Sequence, residues 1–457
     1  MASTYLTRAQ TSGSRTTATI SVWLKRAGLG TNCDVYSACA SNIPSGNPDD
    51  ALHFNTNDTL TFTFYGDGTN GVDNGTLTTN RRFTDTNAWY HIVAVYDTTN
   101  STSGDRLRLY INGVRETSFG TANYPSQNTN SGGMNNSSIT LCLGQRGNSA
   151  QYFDGCMSHF HFIDGTAYNS DTFGSTDATT GEWKINTSPS VTYGTNGFFI
   201  LKDGNSGTDQ SGQSNNLTVG GGTLTKTEDC PSNVFATLNP LSIFGGNNSP
   251  TLSNGNTTLS TVNSDAHKGL FMSSLGMTQG SGKFYCEIKA EEAQRLAIGV
   301  CNKNVFLSSN SPDGQSNQAA ITYYYSGHVY YDSNGEVSGA SSFANNDILG
   351  IALDMENNRL FFHKNGTYMN SGDPTSSTGN VLTFTNAAQY VENHEEMFFF
   401  VSDLSTSGTG KALVNFGNGY FGTTAVSSAG TNASGNGIFE YDVPTGYTAL
   451  STKGLNE

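Results

Sequence analysis

The stretch that decides the fold is WYHIVAVYD at residues 89–97, followed by LRLYI at 107–111 and by Asn112-Gly113 before VRET at 114–117. Runs rich in β-branched and aromatic residues are typical of strands. An Asn-Gly pair between two such runs is the strongest short hairpin signal, because both central positions of a type I′ turn require a positive φ. The stretch therefore predicts a buried strand that leads into a β-hairpin.

The same arrangement returns roughly 250 residues later in the chain. There ILGIALD at 348–354 is followed by RLFFHK at 359–364 and then by Asn365-Gly366. In both places a buried strand ends in Asp, a polar turn follows, and the next strand closes on Asn-Gly. The spacing is far longer than the roughly 20–50 residues of repeat arrays, so it indicates two domains of one architecture and not a solenoid.

Both halves contain further segments that resemble strands. These are TISVWL at 19–24, LTFTFY at 60–65, KFYCEI at 283–288 and LAIGV at 296–300. Strands recur every ~8–15 residues, and nothing resembles a long amphipathic helix, which is typical of a sandwich or barrel. We predict an all-β chain of two β-sandwich (jelly-roll-like) domains, 1–186 and 251–457. An ordered Gly/Asn-rich connector, 187–250, is expected to pack on the domains, because long structureless loops are uncommon.

Composition excludes several classes of protein. The 457 residues include 22 Lys+Arg and 37 Asp+Glu, a net charge of −15, with 13% charged residues and 53 Gly. A nucleic-acid partner is not expected, because such proteins carry a positive footprint. The start MASTYLTR has no apolar region and no run of ~18 apolar residues exists, so we expect neither a signal peptide nor membrane insertion. Seven cysteines without a CxxC pair indicate neither disulfides nor a zinc site.

Two sets of short motifs resemble known domain families. The segments VWLKR at 22–26, AWYHIV at 88–93, LYING at 109–113, FDG at 153–155 and FIDG at 162–165 resemble a laminin-G or concanavalin-A-like lectin domain. The second half resembles a SPRY domain in five segments, which are GKFYCEI at 282–288, AIGV at 297–300, NDILGIALD at 346–354, LFFHKNG at 360–366 and LVNFG at 413–417. Both resemblances imply a β-sandwich fold.

The whole chain also resembles a type of protein common in marine tailed phages. The matching segments are YLTR at 5–8, FIDGTA at 162–167, FATLNPL at 235–241 and PTGYTAL at 444–450, with LNE at the end. This resemblance implies a virion surface protein of the fibre, tip or head-appendage kind, with a role in host attachment. It also implies localisation on the virion surface after synthesis in the cytoplasm of an infected bacterium.

A glycoside hydrolase needs a pair of carboxylates about 5–10 Å apart across a cleft, and several acidic residues are candidates for such a pair. Glu440 and Asp442 lie two apart, but Pro444 follows and marks a strand end. Glu291 and Glu292 are adjacent and would point to opposite faces of a strand. Glu392, Glu395 and Glu396 surround His394 in a predicted loop. We therefore predict no catalytic residues and no enzyme activity.

Metal-binding candidates are few. Asp49, Asp50 and Asp67 lie near predicted strands and could supply loop carboxylates to Ca²⁺, as lectin-like domains often do. Otherwise no cofactor is expected. His159 and His161 would share one strand face as exposed imidazoles, with Phe160 and Phe162 turned to the core.

A tyrosine-rich hairpin is the candidate ligand site. Tyr323, Tyr325, Tyr330 and Tyr331 flank Ser326-Gly327-His328, and one set of these rings must face solvent or a neighbour because a sandwich strand has one core face. An exposed tyrosine ring offers an apolar face and a hydroxyl, which suits sugar stacking or a subunit contact.

From these residues and resemblances we expect a structural, surface-exposed virion protein that binds host-surface glycans. Its expected partners are other virion proteins and further copies of itself, with a trimer as the first guess for the homo-oligomer. Two alternatives remain open at this point. One is a polysaccharide-cleaving glycoside hydrolase on a concanavalin-like fold, and the other is a free-standing lectin.

Overall fold

The structure is a computed structural model, and it describes residues 3–39, 49–68, 74–147, 151–202, 206–244, 250–261, 269–294, 296–303, 320–331, 335–337, 340–383, 396–403 and 409–456. The chain forms two compact units, Met1–Lys226 and Thr227–Glu457. The division lies inside the predicted connector, so residues 187–226 belong to the first unit and the remainder to the second.

The fold is all-β, as the sequence predicts. Within the described ranges no α-helix occurs, and the helical residues are 3-10 turns at Ser103–Asp105, Ser170–Thr172, Met369–Ser371 and Gly454–Asn456. The strands of the first unit are β1 Tyr5–Ala9, β2 Thr17–Arg26, β3 Cys33–Cys39, β4 Asp49–Phe54, β5 Thr59–Phe64, β6 Gly75–Arg82, β7 Trp89–Asp97, β8 Leu107–Ile111, β9 Val114–Arg115, β10 Phe119–Asn123, β11 Thr140–Leu143, β12 Gly155–Asp164, β13 Gly174–Thr176, β14 Trp183–Ile185, β15 Phe198–Ile200 and β16 Thr218–Gly221.

The strands of the second unit are β17 Leu238–Phe244, β18 Thr251–Ser253, β19 Thr258–Ser260, β20 Gly269–Ser273, β21 Met277–Thr278, β22 Lys283–Glu292, β23 Leu296–Cys301, β24 Ala320–Tyr324, β25 Val329–Tyr331, β26 Gly335–Val337, β27 Ile348–Asp354, β28 Arg359–Lys364, β29 Thr367–Tyr368, β30 Leu382–Thr383, β31 Glu396–Asp403, β32 Lys411–Asn415, β33 Tyr420–Phe421, β34 Thr424–Ala425 and β35 Thr448–Ala449.

The first unit is a sandwich of two antiparallel sheets. An eight-stranded sheet has the order β10-β6-β5-β4-β3-β11-β1-β16, and a six-stranded sheet has the order β15-β12-β2-β7-β8-β9. Alternate residues of facing strands, such as Val22 of β2 and Leu52 of β4, are fully buried in one core. The small sheet β13-β14 belongs to the same unit.

The second unit repeats this layered arrangement. One sheet follows the order β17-β20-β31-β23-β24-β25-β26, and the other follows β18-β19-β32-β22-β27-β28-β29. Their inner faces share a core that includes Ile298 of β23 and Ile351 of β27, both with no exposed surface. Both predicted hairpin turns are confirmed, because φ is 47° and 82° at Asn112 and Gly113 and 49° and 81° at Asn365 and Gly366.

The strand β7 is buried on both faces, which the one-core-face rule does not anticipate. Ile92 and Ala94 point into the sandwich core, whereas Val93 and Val95 join a second hydrophobic cluster with Tyr110, Ile163 and Phe173. Phe173 comes from the segment between β12 and β13, so residues of this segment cover part of the outer face of the six-stranded sheet.

The prediction of two exposed imidazoles in β12 was wrong, because His161 is buried and His159 is half-buried. The ladder between β12 and β2 shifts register between Ser158 and His161, and His159 has a φ of 47°. Phe160 and Phe162 enter the core as predicted. His161 is only 2% exposed, because it stacks on Phe199 with ring centroids 3.9 Å apart on the covered outer face.

Candidate functional site

The hairpin of β24 and β25 separates its aromatic residues between two faces. Tyr323 lies opposite Val329 in the ladder, and Thr322 lies opposite Tyr330. Tyr323 is fully buried in the core, where its ring packs edge-on against Phe343 with centroids 5.1 Å apart. Its hydroxyl donates a hydrogen bond to the carbonyl of Ser341. Tyr323 therefore cannot present a ring to a ligand, and this corrects its prediction as a binding residue.

Two other predicted residues also lie on the inner face. Tyr325 and Tyr331 are half-buried and pack against the same core as Tyr323. Alternation along a strand explains this placement, because Tyr331 lies opposite the buried Ile321 and shares its face. Of the four predicted binding residues, only Tyr330 lies on the outer face.

The outer face of the hairpin carries three rings, Tyr324, His328 and Tyr330, which we call the outer aromatic face. The Tyr324 and Tyr330 rings meet edge to face with centroids 5.2 Å apart and an interplanar angle of 88°. The rings of His328 and Tyr330 are stacked at 5.6 Å and 16°. Both tyrosines are half-buried and His328 is exposed. These contacts hold the rings in fixed relative orientations while leaving part of each accessible.

A polar group lies beside these rings. Thr322 is fully buried, it faces Tyr330 across the ladder, and its hydroxyl has no hydrogen-bond partner. The buried Thr322 hydroxyl lies out of reach of a surface ligand, so the rings themselves supply the binding groups: apolar faces that stack on the C–H face of a sugar, and tyrosine hydroxyls that bond to its hydroxyls. The sequence indicated an aromatic hairpin, but it gave no sign of which alternate set faces outward.

The predicted Ca²⁺ ligands have other partners in the structure. Asp50 is fully buried, and its carboxylate accepts hydrogen bonds from the backbone N–H groups of Tyr65 (2.7 Å), Gly133 (2.8 Å) and Met134 (2.9 Å). The Ser131 hydroxyl donates a fourth bond, at 2.5 Å. Because protein groups supply all four donors, the Asp50 carboxylate links Tyr65 to residues 131–134 and is not available as a metal ligand.

Of the other two candidates, Asp67 has a partner of its own. Asp67 lies 3.5 Å from the Arg15 guanidinium, which is a cationic partner. Asp49 begins β4, and its side chain lies outside the described part of the chain. Among the described residues, no group of three His, Cys, Asp or Glu side chains is arranged to hold a metal ion.

The carboxylates that could form a hydrolase pair instead accept hydrogen bonds within loops or form ion pairs. Glu440 accepts hydrogen bonds from Ser427, and Asp442 accepts them from Thr431. Glu291 pairs with Lys411 across two strands. Glu396 begins β31, and Glu392, His394 and Glu395 lie outside the described residues.

Comparison with known families agrees with the two sandwiches. Residues 2–172 match the concanavalin A-like lectin/glucanases superfamily, and residues 283–400 match the SPRY domain. The chain carries a concanavalin-like lectin domain and a SPRY domain. We refer to the first unit as the lectin-like domain and to the second as the SPRY domain. Domains of these types suggest carbohydrate or protein binding.

Solved structures similar to parts of the chain include a SPRY domain and a pentraxin. The SPRY domain of human HERC1 is 23% identical, covers 36% of this chain and 91% of its own, and has a TM-score of 0.27. The heptameric SAP-like pentraxin from Limulus polyphemus is 16% identical, covers 44% of this chain and 89% of its own, and has a TM-score of 0.28. No curated protein matches the chain. The described residues include no helix with the length and apolar character that a membrane span requires.

A buried polar network in the SPRY domain was missed by sequence reasoning. His363 accepts a hydrogen bond from the Gly366 N–H at Nδ1, so Nε2–H donates to the Tyr285 hydroxyl (2.6 Å), which donates to Glu287 (2.9 Å). Glu287 also accepts the N–H groups of Glu440 and Tyr441, which ties the C-terminal segment to β22. Burial raises the pKa of Glu287 to about 7 and lowers that of His363 to about 3.

A second buried network lies on the covered outer face of the lectin-like domain. His91 lies between Trp23 and Trp183, with ring centroids 4.9 and 5.9 Å away and nearly parallel planes. Trp183 Nε1–H donates to His91 Nδ1 (2.9 Å), so the other ring nitrogen donates to the Ser21 hydroxyl (2.9 Å). Burial lowers the pKa of His91 to about 3, which keeps the ring neutral. The network holds the β13-β14 hairpin on the sheet.

Proposed function

We propose that the chain is a structural, surface-exposed protein of a tailed-phage virion that binds host-surface glycans through the outer aromatic face. The single observation that carries the binding proposal is that the Tyr330 ring packs on both Tyr324 and His328, on a strand pair whose other side is anchored in the core. A ring on such a scaffold loses little conformational freedom when a ligand binds. The lectin-like and SPRY domain types support a binding role as well.

The chemistry of the face favours a neutral ligand. Tyr324 and Tyr330 offer hydroxyl-bearing rings, which suit the amphipathic faces of sugars. Binding by stacking and neutral hydrogen bonds depends weakly on ionic strength, because salt screens charge interactions and not dispersion. We therefore expect affinity to change little between low and physiological salt. A steep loss would indicate an electrostatic partner instead.

The binding experiment uses two neighbouring residues that point to opposite faces of β25. Tyr330→Ala removes a ring from the outer aromatic face, and Tyr331→Ala removes a half-buried ring from the core side. We expect Tyr330→Ala to weaken binding to purified host-surface polysaccharide about tenfold or more, as for a truncated aromatic anchor. Tyr330→Phe, which keeps the stacking surface, should retain most of the affinity.

The control variant separates binding from stability. Tyr331→Ala should bind as tightly as the parent while unfolding at a lower temperature, because its loss leaves a core cavity. If Tyr330→Ala binds the polysaccharide as well as the parent, the outer aromatic face is not the binding site. Release of reducing ends from the polysaccharide by the parent chain would show hydrolase activity and contradict the structural role.

The virion role rests on the resemblance of the whole chain to tailed-phage proteins. Virion appendages are usually symmetric homo-oligomers, so the proposal includes self-association, with a trimer expected first. A free-standing lectin would instead behave as a soluble protein without particle partners. Copurification of the chain with intact particles through a density gradient separates these two functions, since only the virion protein bands with the particles.

A further inference from the structure

An amine, a carboxylate and a carboxamide meet at one end of β22 in the SPRY domain. Lys283 is the first residue of β22, and it lies directly opposite Asp354, the last residue of β27. Lys283 Nζ lies 3.3 Å from Asp354 Oδ2. The side-chain amide of Asn357 donates a hydrogen bond from Nδ2 to the same oxygen, at 2.9 Å. We call these three residues the Lys–Asp–Asn cluster.

The turn after β27 is what brings Asn357 back to Asp354. Asp354 Oδ1 accepts hydrogen bonds from the backbone N–H groups of Glu356 (3.0 Å) and Asn357 (2.9 Å), as in an Asx turn. Asn358 then adopts a φ of 53°, and the chain enters β28 at Arg359. The Asp354 carboxylate therefore fixes the turn with one oxygen and holds the amine and the amide with the other.

Burial keeps the carboxylate of the cluster between its two partners. The Asp354 side chain has no exposed surface, and that of Lys283 is 20% exposed. On another side, Lys283 Nζ lies 5.9 Å from the ring centre of the buried Tyr447. A carboxylate that contacts two nitrogen groups at once can carry protons between them. Fixed orientation of reacting groups also greatly raises the rate of an intramolecular reaction.

We propose that Lys283 and Asn357 become joined by an intramolecular amide bond, with Asp354 as the group that transfers the protons. Asp354 takes one proton from the Lys283 ammonium group, and the freed amine nitrogen attacks Cγ of Asn357. A bond forms between Lys283 Nζ and Cγ, and the bond between Cγ and Nδ2 breaks. Two protons pass from Nζ through Asp354 to Nδ2, which leaves as ammonium, so the carboxylate is regenerated. The exchange is neither an oxidation nor a reduction and needs no co-reactant.

The hydrogen bonds identify Asn357, and not Asp354, as the acceptor of the amine. An ionised carboxylate can only accept hydrogen bonds, so the Nδ2 side of the Asn357 amide must face Asp354. This places the leaving nitrogen against the oxygen that delivers its protons. Asn357 is exposed, so ammonium can escape to solvent. Asp354 itself is a poor electrophile, because a carboxylate carries negative charge and has no comparable leaving group.

The bond ties two segments that are distant in sequence. It closes residues 283–357 into a covalent ring between the start of β22 and the turn after β27. A cross-link of this kind restricts the unfolded chain, as a disulfide does, and stabilises the folded state. The inference concerns the SPRY domain alone and does not depend on the proposed glycan binding.

Mass spectrometry of the full chain tests the proposal. After prolonged incubation at neutral pH, the parent should weigh one ammonia less than its sequence requires. Lys283→Arg, which keeps the positive charge but lacks the amine, should have its full mass. A tryptic digest of the parent should contain a branched peptide that joins Lys283 to Asn357, because trypsin does not cleave after a lysine whose amine forms an amide.

Two results would overturn the proposal. One is a parent chain that keeps its full mass. The other is a loss of ammonia without the branched peptide, since cyclisation at an Asn-Gly pair such as Asn254-Gly255 also releases ammonia.

Two acid variants then test the role of Asp354. Asp354→Asn removes the proton carrier and keeps the size of the side chain, so the cross-link should form about a hundredfold more slowly or not at all. Glu356→Gln is the matched control, because Glu356 lies 3.8 Å from Lys283 Nζ but its side chain is 53% exposed and outside the reacting set. Its rate should stay close to that of the parent. Equal rates in Asp354→Asn and the parent would overturn the assignment of Asp354, and if Asp354→Asn does not fold, the mass and the branched peptide of the parent still decide the proposal.

Discussion

Replacing Asp50 by alanine tests whether this carboxylate ties the lectin-like domain together or holds Ca²⁺. The substitution leaves the N–H groups of Tyr65, Gly133 and Met134 and the Ser131 hydroxyl without their acceptor in a fully buried place. Each buried donor left unpaired costs about 1–3 kcal/mol, and some donors will be rescued by entering water. We therefore expect the free energy of unfolding to fall by about 3–5 kcal/mol.

The assay uses the distribution of tryptophan in the chain. All three tryptophans, Trp23, Trp89 and Trp183, belong to the lectin-like domain, so intrinsic fluorescence in urea reports the unfolding of that domain. Asp67→Ala is the matched control, because it removes a partly exposed ion pair worth roughly 0–1 kcal/mol. The parent should unfold at the same urea concentration in CaCl₂ as in EDTA.

Two results would refute the reasoning about Asp50. One is a loss of less than about 1 kcal/mol in Asp50→Ala, since the four donors would then not depend on the carboxylate. The other is a marked stabilisation of the parent by Ca²⁺ that disappears in Asp50→Ala, because that behaviour identifies a metal ligand.

Three further predictions follow from buried groups and from the proposed assembly. Trp183→Phe removes the hydrogen bond to His91 and leaves His91 Nδ1 unpaired, so the free energy of unfolding measured in urea should fall by about 1–3 kcal/mol. An unchanged urea midpoint would contradict a stabilising role for this hydrogen bond. Burial raises the pKa of Asp34 from 3.8 to about 7, so the folded state holds this proton more tightly than the unfolded state. The free energy of unfolding of the parent should consequently fall relative to Asp34→Asn by about 3 kcal/mol as pH rises from 4.5 to 7.5. A difference that stays constant with pH would show that Asp34 does not titrate in this range. Light scattering at micromolar concentration should give a multiple of the 48.6 kDa chain mass, and the monomer mass would count against the homo-oligomer.

The hairpins could be predicted from the sequence because their signals are local. Asn112-Gly113 and Asn365-Gly366 require positive φ at both turn positions, and few other residue pairs meet that requirement. The strands around them were visible through their β-branched and aromatic residues. Register then follows from the turn, so the paired strands β8-β9 and β28-β29 form as expected.

The faces of the strands could not be predicted in the same way. At the end of β24 the sequence shows three tyrosines in a row, Tyr323 to Tyr325, and only the second sheet of the sandwich determines that Tyr323 is the fully buried one. His161 is buried because distant residues such as Phe199 cover it, and the register shift at His159 has no residue signature in the chain. Such placements depend on contacts between segments far apart in sequence.

Buried polar groups were hidden for a related reason. Asp50 looked like a loop ligand because the sequence does not show that residues 131–134 fold back onto it. Asp34 lies inside an otherwise apolar strand, CDVYSAC, and a lone acid in such a strand is the one signal that could have singled it out.

The central claim is that this chain is displayed on the outside of a virion, and electron microscopy of intact particles tests it most directly. Purified particles of a tailed phage whose genome carries this sequence are labelled with a gold-conjugated antibody fragment raised against the chain. We expect gold at regular positions on the surface of undisrupted particles, on the tail tip, a fibre or a head appendage. Particles that carry no label while intact, or that bind it only after disruption, would contradict the claim.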